Sequence, residues 1–186
     1  MLFPLRAYLL APALWMAFGM AFAPDARADR GEGSIEISFV GSATLHEFEG
    51  SVAPIRVATE SQTDGTWAGE VLVPVASLDT GIRARDENLR AMLDASQHPE
   101  IRGRFRDVVA EEVQRSAVLP FLLRIREVER PLQAKLSNWQ QDADHARFDA
   151  EFDVSLAAFG LEAPRVLFIR VEDTVHVTVH VTLERI

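Results

Sequence analysis

Val175-His176-Val177-Thr178-Val179-His180-Val181-Thr182-Leu183-Glu184 decides how this chain folds. Its apolar residues take every odd position and its polar residues every even one, the period of a β-strand with one dry and one wet face. Upstream the pattern returns, with Phe148, Ala150, Phe152 and Val154 alternating with Arg147, Asp149, Glu151 and Asp153. Shorter runs repeat it: Ile35/Ile37/Phe39, Phe48/Val52, Trp67/Val71/Val73/Val75, Ile101/Phe105, Phe121/Leu123/Ile125, Leu132/Ala134/Leu136 and Leu167/Ile169/Val171. These segments make at least eight strand candidates, each with one face to bury.

Between the strands lie turn signals. Thr63-Asp64-Gly65 precedes the strand at Trp67, and Gln140 to His145 is a polar turn between two strands; such short loops join antiparallel neighbours. One segment departs from period two. Asp86 to Ala95 carries Leu89, Met92 and Leu93 at helical spacing, with acidic residues in its first turn, and is closed by His98-Pro99. The expected fold is therefore all-β: one domain of about eight antiparallel strands with one short helix, closed as a barrel or packed as a sandwich.

The 186 residues are 48% apolar and 25% charged, with no Cys and a formal net charge of −9. Such a composition builds a packed core rather than a disordered chain. An acidic chain without a basic run is repelled by a phosphate backbone, which argues against a nucleic-acid partner. The lack of Cys removes thiol nucleophiles, disulfides and lipid attachment through sulfur. At the N-terminus, Arg6 precedes an uncharged run from Ala7 to Ala23, and Ala26-Arg27-Ala28 follows. A positive start, a short apolar core and an Ala-x-Ala ending describe a secretory signal peptide. The expected division is a signal over residues 1–28 and a domain over 29–186, not membrane-spanning once the signal is cut.

The polar residues carry few catalytic or metal-binding patterns. His176 and His180 share a strand face, but four strand residues separate them by roughly 13 Å, too far to chelate one ion. His98 and His145 fall beside a Pro and in a turn. His46 shares parity with Phe48 and is the one histidine placed toward the interior. No Gly-x-Ser-x-Gly, Ser-x-x-Lys or His-Glu-x-x-His occurs, and the carboxylates sit mostly on wet faces. No metal, cofactor or enzymatic activity is expected. The inward set is rich in aromatics: Phe39, Phe48, Phe105, Phe121, Phe148 and Phe152. An eight-stranded barrel is just wide enough to be filled by such side chains or to hold one apolar ligand, and parity alone leaves both open.

Ser77-Leu78-Asp79-Thr80-Gly81, Arg85-Asp86, Leu89-Arg90, Pro99-Glu100-Ile101 and Phe105 together resemble the signature of the YceI-like family. Phe48-Glu49-Gly50-Ser51-Val52, Arg130-Pro131-Leu132, Phe148-x-Ala150 and Phe159-Gly160-Leu161 follow in the family's order, so the likeness spans roughly residues 34–184. Glu127 stands where the family usually has Gly, Leu156 where it usually has Arg, and His46 is out of register with the family's first-strand His near Ser42.

The resemblance implies an exported, lipocalin-like antiparallel β-barrel. Its apolar channel would hold a long isoprenoid-type lipid, such as a polyprenyl phosphate or an isoprenoid quinone. The wall residues would then be Phe39, Phe48, Val73, Phe105, Phe121, Leu123, Phe148, Phe152 and Ile169, with His46 beside them. Arg85 and Asp86, at the start of the short helix, would form a polar rim, since a helix N-terminus offers free N–H groups to an anionic head. Two other readings stay open: a filled barrel that docks a partner protein, and a hydrolase or isomerase using His46 as base.

The signal predicts a mature chain beginning at Asp29. Intact mass of the exported protein should show loss of the first 28 residues, and full-length chain recovered in the membrane fraction would contradict it.

Overall fold

Backbone pairing turns the alternating segments into a closed wall. The structure is a computed structural model and describes residues 30–43, 46–142, 144–162, 165–166 and 169–185; the expected signal segment lies outside them. The described residues form ten strands: β1 (Arg30–Ala43), β2 (His46–Ser61), β3 (Trp67–Pro74), β4 (Leu78–Asp79), β5 (Glu100–Val108), β6 (Val118–Ile125), β7 (Val128–Gln141), β8 (His145–Ser155), β9 (Arg165–Val166) and β10 (Ile169–Arg185). Hydrogen bonding runs β1-β10-β8-β7-β6-β5-β3-β2 and returns to β1, closing eight strands into a barrel, with β4 added on β2 and β9 on β10. Closure leaves no long edge exposed, which is how an all-β chain avoids pairing with its neighbours. The expected antiparallel barrel is the fold.

Register explains which side chains share the interior. Ile35, Ile37 and Phe39 of β1 lie opposite Val181, Val179 and Val177 of β10. Those valines in turn face Phe148, Ala150 and Phe152 of β8. Residues opposite each other in an antiparallel pair point to the same side, so three apolar alternations merge into one inner surface. On β2 the register shifts between Val52 and Ile55, and the inward set passes from Phe48, Gly50 and Val52 to Ile55, Val57 and Thr59. Pro54 sits at this shift, where a missing N–H is tolerated.

One end of the barrel is plugged. Helix α1 (Arg83–Met92) presents Leu89 and Met92, followed by Leu93, to Val75, Leu78, Val154, Leu156, Phe159 and Leu161. Val75, expected on a strand, instead lies in a short 3-10 turn and is 1% exposed. The helix begins three residues earlier than its apolar spacing suggests. Its first turn is fixed by Asp86, which is buried and whose Oδ1 accepts the Thr80 amide at 2.9 Å and the Thr80 hydroxyl at 2.6 Å.

A second helix, α2 (Ala110–Ser116), joins β5 to β6 and stops at Ala117 in the left-handed region. It was not expected, because seven residues with the single buried apolar residue Val113 carry no period to read. Residues 169–171, read as a separate strand, begin the long β10. Among the described residues no helix is long and apolar enough to cross a membrane.

The Thr80 hydroxyl, then its amide, hold the Asp86 carboxyl below its ordinary value of 3.8, with burial opposing them and Arg90 and Arg85 assisting. A group depressed on folding stabilises the native state above its ordinary value, and that contribution is lost as pH falls through the folded value. Asp86→Asn should therefore lower the denaturant midpoint near neutral pH. The gap to wild type should narrow as pH falls below 3.8; a gap independent of pH would show that the charge contributes nothing.

Candidate functional site

The lumen is lined by aromatic rings that lie along the wall. Phe39 on β1 is opposite Gly50 on β2, and Phe48 on β2 is opposite Gly41 on β1. Phe105 on β5 is opposite Gly69 on β3. A Cβ added to any of the three glycines would collide with the ring across from it, at 2.6 Å from Phe105 Cζ in the case of Gly69. Each ring thus occupies the space a neighbouring side chain would have taken, the aromatic-over-glycine arrangement that steadies strand pairs. Rings laid flat thicken the wall instead of bridging the interior.

Gly103 gives the opposite result. It pairs with Val71 on one side and Leu123 on the other, both packed in or against the core, so it faces inward. Yet a Cβ there would meet no heavy atom within 4 Å. At the level of Gly103 the barrel contains open space. Consistent with this, Phe48, Phe105, Phe121, Phe148 and Phe152 are only half-buried although their strand positions face inward.

The remaining sequence-derived positions are distributed around this space. Phe121 and Phe152 meet edge to face, with ring centres 4.9 Å apart, across the strand that carries the small, buried Ala134. Val73 and Leu123 are buried in the core cluster. At the plugged end the Arg85 guanidinium lies 4.8 Å from the centre of the Phe48 ring, a cation–π contact, while the neighbouring Asp86 is taken up by Thr80. His46 sits opposite Ala43 and Ile169 opposite Val166; the side chains of both lie outside what the structure describes.

Trp139 was missed. Strict alternation through Leu132, Ala134 and Leu136 puts Asn138 inside and Trp139 outside. The β7–β8 register shifts between Ser137 and Gln140, where Asn138 adopts φ 52°. The bulge re-aims the next side chain, and Trp139 stacks on Phe148 at 4.8 Å with 13° between planes. An Asn in the middle of a strand, tolerant of left-handed backbone, was the available signal.

Away from the lumen, His176 Nδ1 is 2.8 Å from Asp153 and His180 Nδ1 is 2.6 Å from Asp149. These are separate cross-strand pairs on the outer face. Among the described residues no three His, Asp or Glu lie close enough to hold a metal ion. A cavity of about 630 Å³ opens at the side of the barrel between β5, β6 and β7.

The family model for the YceI-like domain matches residues 29–183. This chain belongs to the YceI-like domain family. Among solved structures it is similar to BcnA of Burkholderia cenocepacia, with TM-score 0.63 and 14% identity over 80% of this chain and 95% of that one. It is also similar to a polyisoprenoid binding domain from Saccharophagus degradans implicated in plant cell wall breakdown, with TM-score 0.62 and 14% identity over 83% of this chain and 98% of that one. At such identity the likeness speaks for the fold. No curated protein matches the sequence. In this YceI-like domain the family-like stretch from Ser77 to Phe105 corresponds to β4, α1 and β5, so the resembling motifs build the plug and the strand beside it. Leu156, one of the departures from the family pattern, is buried in the same plug.

The two kinds of inward glycine predict opposite effects. Gly50→Ala should destabilise the fold by about 1–3 kcal/mol, because the Phe39 ring must leave its place. Gly103→Ala should be neutral or stabilise by about 0.4–1 kcal/mol through the unfolded chain. Denaturant unfolding separates them, and a loss at Gly103 equal to that at Gly50 would mean a filled interior.

Proposed function

We propose that this chain binds one long isoprenoid-type lipid, a polyprenyl phosphate or an isoprenoid quinone, non-covalently in the barrel lumen. It acts as a periplasmic carrier or stress-related buffer after removal of residues 1–28, and performs no chemistry on the lipid. The observation that carries this reading is the open space inward of Gly103, in a wall built of flattened aromatic rings. A long apolar chain needs such a wall, with few polar groups to desolvate. The structural likeness to a polyisoprenoid binding domain supports the same ligand class.

Phe39, Phe48, Val73, Phe105, Phe121, Leu123, Phe148, Phe152 and Ile169 contact the chain in this reading, and Trp139 extends the wall at the end away from the plug. His46 and Arg85 contribute polar contacts near the plugged end. Asp86 acts through Thr80, by fixing the first turn that carries Arg85.

Organic extract of the purified protein, analysed by mass spectrometry, should contain a prenyl lipid. Gly103→Leu, which places a side chain in the open space, should reduce the bound amount severalfold while the chain stays folded. Phe152→Ala should weaken binding and cost well under the roughly 3–5 kcal/mol typical of a Phe truncated in a filled core. No lipid in the extract, together with a full-sized cost at Phe152, would replace this reading with a filled interaction module. A bound lipid that is chemically altered by wild type but not by His46→Ala would replace it with an enzyme.

A further inference from the structure

The side cavity lies where two neighbouring barrel strands part. Between β5 and β6 the pairing consists of Arg102 with Arg124, Gly103 with Leu123 and Arg104 with Leu122, whereas β6 and β7 stay paired from Val118 with Lys135 to Ile125 with Val128. Beyond Arg104 the two strands separate. Pro120 has no N–H to donate, and Asp107 takes a left-handed conformation with φ 54° that turns β5 aside. The cavity of about 630 Å³ fills this gap. Phe105, Phe121 and Leu132 among its lining residues have lumen parity, and Phe121 touches Phe152 inside the barrel. Residues of both the outer face and the inner wall therefore border the gap.

Two guanidinium groups border it. In a chain of net charge −9, the cavity is lined by Arg104 and Arg106 and by no carboxylate. Arg104 Nη2 pairs with Glu129 at 2.8 Å, but its Nε is buried with no hydrogen-bond partner among the described residues. Arg106 is exposed and has no ion-pair partner among them. A buried donor lacking an acceptor calls for one, and guanidinium forks suit phosphate oxygens.

We propose that the gap between β5 and β6 is the headgroup site for a prenyl phosphate. The phosphate is held by Arg104 and Arg106, and the chain passes inward over Phe105 and Phe121. This rests on the lumen reading above and narrows it, since a neutral quinone head gives these guanidinium groups no charge to bind.

Calorimetric titration of the purified chain with farnesyl phosphate, farnesol and inorganic phosphate tests it. Farnesyl phosphate should bind about tenfold or more tightly than farnesol, with the preference shrinking as salt rises. Inorganic phosphate alone should bind far more weakly than farnesyl phosphate. Arg104→Gln with Arg106→Gln should bring the ratio of the two prenyl affinities toward one. Arg106→Gln alone should lower the ratio partway, and it keeps the test open if the change at Arg104 disturbs folding. Arg56→Gln with Arg147→Gln, an equal loss of charge elsewhere, should leave the ratio intact.

Equal binding of farnesol and farnesyl phosphate, unaffected by the arginine changes, would overturn the headgroup site while leaving the lumen reading standing. Binding of inorganic phosphate as tight as that of farnesyl phosphate would show a free-anion site and overturn it too. Failure of both prenyl compounds to bind would overturn the lumen reading and this one together.

Discussion

Everything in this molecule depends on β1 being hydrogen-bonded along both of its edges, to β2 on one side and β10 on the other. That double pairing converts a twisted sheet into a closed wall. Once it closes, strand number and tilt set the diameter, and each inward side chain must be judged by whether it reaches across or lies along the wall. Here the reaching groups are few. Phe39, Phe48 and Phe105 lie over Gly50, Gly41 and Gly69, so volume that would fill the centre is spent thickening the sides. The glycines are thus part of the aromatic wall, and the open interior at Gly103 follows from the same arrangement.

Closure also makes the ends and sides of the barrel unequal. The end beneath α1 is filled by Phe159, Leu156, Leu161 and Leu93 and tied by the Asp86–Thr80 contacts. Such a plug takes the place of the lid that an open barrel would need and leaves entry to other routes. The outer surface is polar and mostly acidic. On it, Asn138 and His180 hydrogen bonds hold the Asp149 carboxyl below its ordinary value, fastening the β7 bulge to β8 and β10. A bulge that turns Trp139 onto Phe148 is therefore fixed from outside by polar contacts and from inside by stacking.

How far the sequence could be read depended on whether the information was local. The alternations in β8 and β10 are strictly local, and by themselves they identify strand, inward face and antiparallel class. Asp86, Leu89 and Met92 located a helix, though its start was displaced: no side chain caps the terminus at Ile82, and Asp86 in the first turn instead accepts hydrogen bonds from Thr80, ahead of the helix. The bulges at Pro54 and Asn138 broke the period, and one of them hid Trp139. Helix α2 left no trace beyond Val113. Least legible was the difference between a filled and an open barrel. Gly103 looks like any strand glycine, and its meaning appears only when eight strands show what lies across from it.

The side gap and the closed wall have a common physical origin. A continuous ladder between β5 and β6 would seal the barrel, but β5 turns at the left-handed Asp107, one residue before its end at Val108, β6 carries Pro120, and α2 must span the distance between them. Arg102 directly opposite Arg124 weakens even the paired portion, since like charges face each other across the ladder. Pairing is therefore thinnest where the chain also concentrates arginine. Local opening in proteins is drawn from the segments with the fewest hydrogen bonds and buried contacts, and β5–β6, joined at three paired positions, is one such segment. The proposed ligand requires a route through a closed wall, and at β5–β6 the hydrogen bonds that would bar it are already missing beyond Arg104.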